Sequence, residues 1–165
     1  MIAVEEMDSG QIKEVLGRVG YGHLGVARGS HPYVVPVHYV FDDPHIYIYT
    51  TEGKKTEIIK DNPEVCLQVE DVRSDKDWVS VIATGEAAPV TNEAERRRAL
   101  ESILESNPTL TPALSIRWMD NWIRENIEVI YRITPGMLTG RATIEYTGFF
   151  ADSSGQEKKR RSSIY

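Results

Sequence analysis

One cysteine, Cys66, is all the thiol chemistry this 165-residue chain carries. A single thiol excludes an internal disulfide and fits a reducing cytoplasm. Cys66 alternates with Val65 and Leu67, so it is expected in a short strand as a small buried hydrophobe. No apolar run approaches the roughly 20 residues that span a bilayer. The opening MIAVEEMDSGQIKEVL has neither a basic n-region nor an apolar h-region, so no signal peptide is expected. Positive charge is in short supply. There are 19 Lys and Arg against 25 Asp and Glu, a net charge of -6. That balance argues against a nucleic-acid binder working by bulk electrostatics. There is no GxSxG, no Walker loop and no GxGxxG after a strand, which speaks against a serine hydrolase or a Rossmann dehydrogenase. His23, His31, His38 and His45 recur along the first strands. No His-x-His, HExxH or cysteine cluster accompanies them, so no dedicated metal site is expected.

What is present is the composition of an ordinary soluble protein, 41% hydrophobic and 27% charged. The length suits one domain with a real core. No repeat or linker divides it, and residues 1–150 are read as that domain. The last stretch, ADSSGQEKKRRSSIY (151–165), loses periodicity and is expected to be a mobile tail.

The central stretch is PYVVPVHYVFDDPHIYIYTTEGKKTEIIKDN, Pro32 to Asn62. Tyr33, Val35, Val37 and Tyr39 alternate with residues that are also mostly apolar, which suits a strand buried on both faces of a small closed barrel. Pro36 donates no ladder hydrogen bond and is expected at an edge or bulge, where neighbouring backbone groups can face a ligand. Asp42-Asp43-Pro44 is turn chemistry, and Ile46 and Ile48 alternate with Tyr47 and Tyr49 in a second strand. Thr50 and Thr51 then offer hydroxyls, Gly53 turns the chain, and Lys54 and Lys55 open a helix carrying Ile58 and Ile59. Cations are unfavourable at a helix N-terminus. An anion bound there reverses the penalty, because free N–H groups and both ammoniums then point at it. A solvated Lys-Lys pair in an ordinary loop is the competing reading.

Around this stretch the pattern gives a short helix capped by Asp8 or Ser9, with Ile12, Val15 and Leu16 inward. A glycine-rich strand follows over Gly20–Ala27, with Arg28–His31 as a hairpin loop. Asn62-Pro63 stops the central helix. Strands follow over Glu64–Val69 and Trp78–Val90, the latter with a bend at Gly85. Thr91-Asn92 opens a helix with Glu95 in a capping-box-like position and Leu100, Ile103 and Leu104 as its apolar stripe. Its Arg96–Arg98 run reads as a solvated face. Asn107–Pro112 reads as a loop and Ala113–Arg124 as a helix. Ile127–Thr134 and Met137–Ile144 read as two last strands, with a bend at Gly140. The fold class expected is mainly β with flanking helices, an antiparallel split or closed barrel.

Four pieces in order, GYGHLGVA, PYVVPVHYVFDDPHIYIYT, EGKKTEIIKDNPEVCLQVE and WVSVIATGEA, together with IYRITPGMLTGR, carry a resemblance. The chain resembles the pyridoxamine 5′-phosphate oxidase-like FMN-binding split barrels. Within them it is most similar to the small flavin-binding proteins that include the Nim-type nitroimidazole-resistance reductases. The resemblance implies FMN held at a homodimer interface by both subunits. Val35, Pro36, Val37 and His38 would run beside the isoalloxazine through backbone groups. Thr50, Thr51, Lys54 and Lys55 would hold the phosphate, and Ser80 would serve the ribityl or phosphate end. Trp118 and Trp122 are candidate covers from the partner subunit, or helix residues packed on the barrel. The family's oxidases carry an arginine-rich strand where this chain reads VPVHYVF, and Arg132 and Arg141 are only loose equivalents of their C-terminal arginine. Oxidation of pyridoxamine phosphate is therefore not the expectation.

The chemistry implied is that of a cytoplasmic flavin-dependent oxidoreductase, with NAD(P)H or another reductant and a small acceptor, including nitroaromatics. A histidine's unperturbed pKa lies near neutrality, so His38 is the candidate to contact substrate or supply a proton, or else a histidine packed in the wall. The alternatives are a non-catalytic flavin or haem binding or sensor protein, a deazaflavin-dependent reductase, or a cofactor-free dimer.

Overall fold

The computed structural model describes residues 2–106, 129–148 and 150. Its elements are β1 (Val4–Glu6), α1 (Ser9–Val19), β2 (Tyr21–Arg28), β3 (His31–Asp42), β4 (His45–Thr50) and α2 (Lys54–Asp61). Then come β5 (Glu64–Val72), β6 (Trp78–Pro89), α3 (Glu93–Glu105) and β7 (Val129–Thr143). The expected helix over Ala113–Arg124, with Trp118 and Trp122, lies outside the described residues, as do the loop before it and the 151–165 segment.

All strand pairings are antiparallel, in the order β1-β7-β4-β3-β2-β5-β6, and β6 returns to β7. That last pairing closes the sheet into a barrel, the architecture that the alternating strands predict. β-Branched and leucine side chains fill it at every second position. Leu24, Ile46, Ile48, Leu67, Val81 and Ile133 are fully shielded from solvent.

Among the described residues, α1, α2 and α3 pack on the barrel. Asp8 caps α1, accepting from the Gln11 N–H at 2.9 Å while its own N–H donates to Gln11 Oε1 at 3.0 Å. Ile12, Val15 and Leu16 are buried as the spacing requires, and the helix ends at Gly20 with φ 71°. Asn92 caps α3 through the Glu95 N–H. This helix buries Ala99 and Ile103 against Tyr47, Tyr49 and Ile130, a second apolar layer outside β4. Leu104, expected in that stripe, is 42% exposed. Ala99, one turn before Ile103, takes the inner place instead.

Three further expectations are corrected. The two last strands are one, β7, running unbroken through Pro135-Gly136. Pro135 sits opposite Gly85, and Gly136 is the extra residue where the β6–β7 register shifts between Thr84 and Gly85. Gly140 is no bend. A Cβ there would lie 2.7 Å from Met7 Sδ and 3.0 Å from Ile12, so the glycine lets α1 approach β7. Cys66 is exposed. Strand alternation sends Val65 and Leu67 inward and Cys66 to the opposite, outer face. β1, three exposed residues paired to the end of β7, left no periodic signal to read.

Candidate functional site

β3 is flanked by β2 along His31–His38, but by β4 only along Tyr39–Asp42. The half containing Val35, Pro36 and Val37 therefore has one edge without a strand partner among the described residues. Extending the β3–β4 register would set Val37 opposite Thr50 and Pro36 opposite Thr51. Pairing stops before both, and the chain turns away into α2. Proline's missing N–H suits this split.

The mouth of the split gathers four of the predicted residues. Thr50 and Thr51 leave the end of β4 half-buried, and Lys54 and Lys55 begin α2. α2 is fixed over the barrel end by Ile58 and Ile59, both buried. Asn62 also donates to the Ala27 carbonyl at 3.0 Å, and Arg28 pairs with Asp61 at 2.7 Å.

A network absent from the sequence reading organises the first turn of α2. Thr56, wholly buried, accepts from the Gly53 N–H at 2.9 Å and donates to Glu52 Oε2 at 2.8 Å. Lys60 reaches the same Glu52 oxygen at 3.2 Å. Glu52 is held below the usual carboxylate range by the Thr56 bond first, then by Lys60, with the Lys55 charge adding to it. Glu52, just before α2, recurs with Thr56 and Lys60 at every fourth position, so the signal was present in the sequence. Lys54 takes no part. Its Nζ stands 4.6 Å from the Tyr33 ring centroid, and no carboxylate pairs with it among the described residues.

His38 sits on the opposite face of β3 from Val35 and Val37. It is 5% exposed, 5.6 Å from the Tyr21 ring and 6.2 Å from the Tyr49 ring between centroids. Burial lowers its pKa below the ordinary histidine value, against the bond to the Gly20 backbone, so its ring is neutral at pH 7. It also lines a 410 Å³ cleft between α1 and α3, with Arg18, Ser102 and Glu105. The Tyr21 ring stands between His38 and His23, 5.6 Å from each.

Ser80 is not brought to this group within the chain, because β2 and β5 lie between β3 and β6. It pairs across the ladder with Arg141 and lines a separate 600 Å³ depression with Trp78 and Ile82. Arg132 is committed elsewhere: its Nη1 donates to both Glu95 oxygens at 2.7 and 3.0 Å, where Tyr47 also donates at 3.0 Å.

The donor set fits a flavin nucleotide. It offers an unpaired strand edge for the polar rim of the ring, an apolar strip for its face, and an uncommitted ammonium with two threonine hydroxyls for a phosphate. The same residues offer no grouping of three His, Cys, Asp or Glu for a metal among the described residues.

Comparisons with known proteins follow this geometry. The sequence pattern of a family described as pyridoxamine 5′-phosphate oxidase matches residues 8–142. An FAD-binding protein of Mesorhizobium loti superposes with TM-score 0.68 at 26% identity, over 86% of this chain and 99% of that one. A putative 5-nitroimidazole antibiotic resistance protein of Bacteroides thetaiotaomicron gives TM-score 0.63 at 18% identity, over 86% and 89% of the two chains. An uncharacterized protein of Rhizobium meliloti is 29% identical over 108 residues, 64% of this chain and 72% of its own.

Proposed function

The chain belongs to the pyridoxamine 5′-phosphate oxidase family, and from that premise we propose that it is a flavin-binding protein that holds FMN in the split between β3 and α2. The observation that carries this is the unpaired edge of β3 ending beside Thr50, Thr51 and Lys54. The Mesorhizobium relative, named for FAD binding, supports the flavin class.

In this reading backbone groups of Val35–His38 bond the pyrimidine rim and the apolar side chains of β3 cover the ring. Lys54, Lys55 and the two threonines hold the phosphate. Bound flavin supplies hydride and electron transfer. The protein positions a small acceptor, nitroaromatics being the class to test first, and excludes water around it. His38 lies on the ring strand and contacts the substrate, or relays a proton that its neutral ring has first taken up, through the cleft it lines.

We further propose a homodimer with the flavin between subunits. The outer sheet face supports it. Val34, Gly25, Cys66, Thr84 and Met137 fall in one row across five strands, by the pairings Gly25–Val34, Gly25–Cys66, Cys66–Thr84 and Thr84–Met137. Val34 is 62% exposed, Met137 58% and Ile82, in the next row, 43%. Such a strip on a lone chain marks an interaction surface. In the dimer Ser80 and Arg141 would reach the flavin from the partner. No described helix is long and apolar enough to cross a membrane.

The test is anaerobic. NAD(P)H should bleach the bound flavin, and an added nitroaromatic should restore the colour at a rate proportional to protein. Bleaching without restoration by any acceptor identifies a carrier. A protein that takes up haem or a deazaflavin in preference to FMN assigns the split to that cofactor.

A further inference from the structure

We propose that Tyr33 is the positioning residue of the phosphate cradle, its ring holding the Lys54 ammonium where a flavin 5′-phosphate arrives. The inference rests on the flavin reading above and goes further by naming what orients the cation.

Three lysines crowd the first two turns around α2, and they are not equivalent. Lys60 is tied to Glu52, and the charge of Lys55 acts on the same carboxylate. Glu52 is itself held by Thr56. A phosphate reaching Lys60 would meet the carboxylate it is bonded to, and Lys55 would share its charge between that carboxylate and the phosphate. Lys54 is turned away from it. Its Nζ lies 4.6 Å from the centroid of the Tyr33 ring, a cation–π distance. The ring attracts the ammonium without supplying a counter-charge. The cation is thus restrained yet still available to an anion, and a restrained lysine has already lost part of the freedom that binding would remove.

Tyr33 is placed to do this by the sheet. It pairs with Val26 on β2, two residues before Val35 and on the same strand face, packed against the core. It therefore links the strand proposed to carry the ring to the helix proposed to carry the phosphate. α2 is pinned at its other end by Asn62 and Asp61, so a shift of Tyr33 moves Lys54 and not the helix.

The experiment compares FMN with riboflavin, which lacks the phosphate, by fluorescence titration of flavin-stripped full-length protein. Tyr33→Leu should raise the Kd for FMN about three- to thirtyfold and leave riboflavin within about twofold. Tyr33→Phe, which keeps a ring, should restore FMN affinity. In a Lys54→Met background, Tyr33→Leu should cost nothing further. Equal loss of both ligands, or full additivity with Lys54→Met, overturns the proposal and makes Tyr33 a packing residue. If Tyr33→Leu does not fold, judged by circular dichroism, Tyr33→Met takes its place with the same expectations. A wild-type protein that binds FMN no better than riboflavin removes the phosphate cradle itself. That failure is separate, because it shows before any Tyr33 variant is made.

Discussion

Replacing Gly85 by alanine should open the barrel at its closing seam. A Cβ built on Gly85 lies 2.1 Å from the Thr134 carbonyl oxygen and 2.9 Å from Pro135 Cα. Both obstacles are backbone, so no side chain can swing aside. Alanine in a strand should by itself gain about 0.5–1 kcal/mol over glycine. The overlap must be relieved by moving β6 from β7 at the bulge, and overpacking of this kind costs about 1–3 kcal/mol, occasionally more. The net expectation is a loss of about 1–2 kcal/mol, or roughly 3–6 °C in Tm for a chain of this size. Gly17 supplies the control. It lies in α1 with no atom within 4 Å of a built Cβ, so Gly17→Ala should gain about 0.5 kcal/mol from helix propensity. Urea denaturation at one fixed protein concentration measures both. The reasoning is refuted if Gly85→Ala lies within about 0.5 kcal/mol of wild type, or if both substitutions shift stability the same way.

Other predictions follow from the charged clusters. Glu95 is held below its ordinary 4.5 chiefly by Arg132, then by Tyr47. Burial pushes Asp71 up, but the bonds from Tyr146 and Arg18 outweigh it and leave it below 3.8. Both carboxylates thus bind protons more weakly folded than unfolded. Their stabilisation is present above the unfolded pKa values and lost as pH falls through the folded ones, below about pH 5. Glu95→Gln should be less stable than wild type at pH 7 yet show a flatter decline on acidification, followed by thermal melts from pH 7 to 3. Tyr146 is fully buried, bonded to Asp71 at 2.9 Å and to Arg18, with the Arg73 guanidinium 4.7 Å from its ring centroid. Tyr146→Phe should cost about 1–3 kcal/mol, because Asp71 loses a partner while the ring stays packed; no loss in denaturation would remove that tether from the account. His38→Ala should retain flavin, since the ring strand acts through backbone, and lower acceptor reduction by about a hundredfold if His38 moves a proton. Full turnover in that variant ends its catalytic role.

Much of this fold is legible in the sequence, and the reasons are physical. Strands β2 to β6 announce themselves because one face is buried, and burial writes alternation into the sequence. Pro36 was informative for the same reason a proline usually is: it cannot complete a ladder, and the pairing with β4 does stop short of it. The errors came where local pattern and tertiary demand diverge. Pro135-Gly136 looks like a break, yet the strand continues through it with Gly136 as the extra residue of a bulge opposite Thr84 and Gly85. Gly140 looks like a hinge, but its missing Cβ serves contact with Met7 and Ile12, remote in sequence. Cys66 was read by composition when its parity beside Val65 and Leu67 already placed it outward. That Thr50, Thr51, Lys54 and Lys55 sit together between β4 and α2 was legible from their order in the chain. Ser80 was not, because the distance between β3 and β6 depends on strand order, which no single strand's pattern reveals.

The central claim is that the split between β3 and α2 receives a flavin nucleotide, and one titration tests it most directly. Stripped, full-length protein is added to a fixed low concentration of FMN and the flavin fluorescence is followed. Saturable quenching with a micromolar or tighter Kd, weakened in Lys54→Met far more for FMN than for riboflavin, is the expected result. No quenching at any accessible protein concentration contradicts the account.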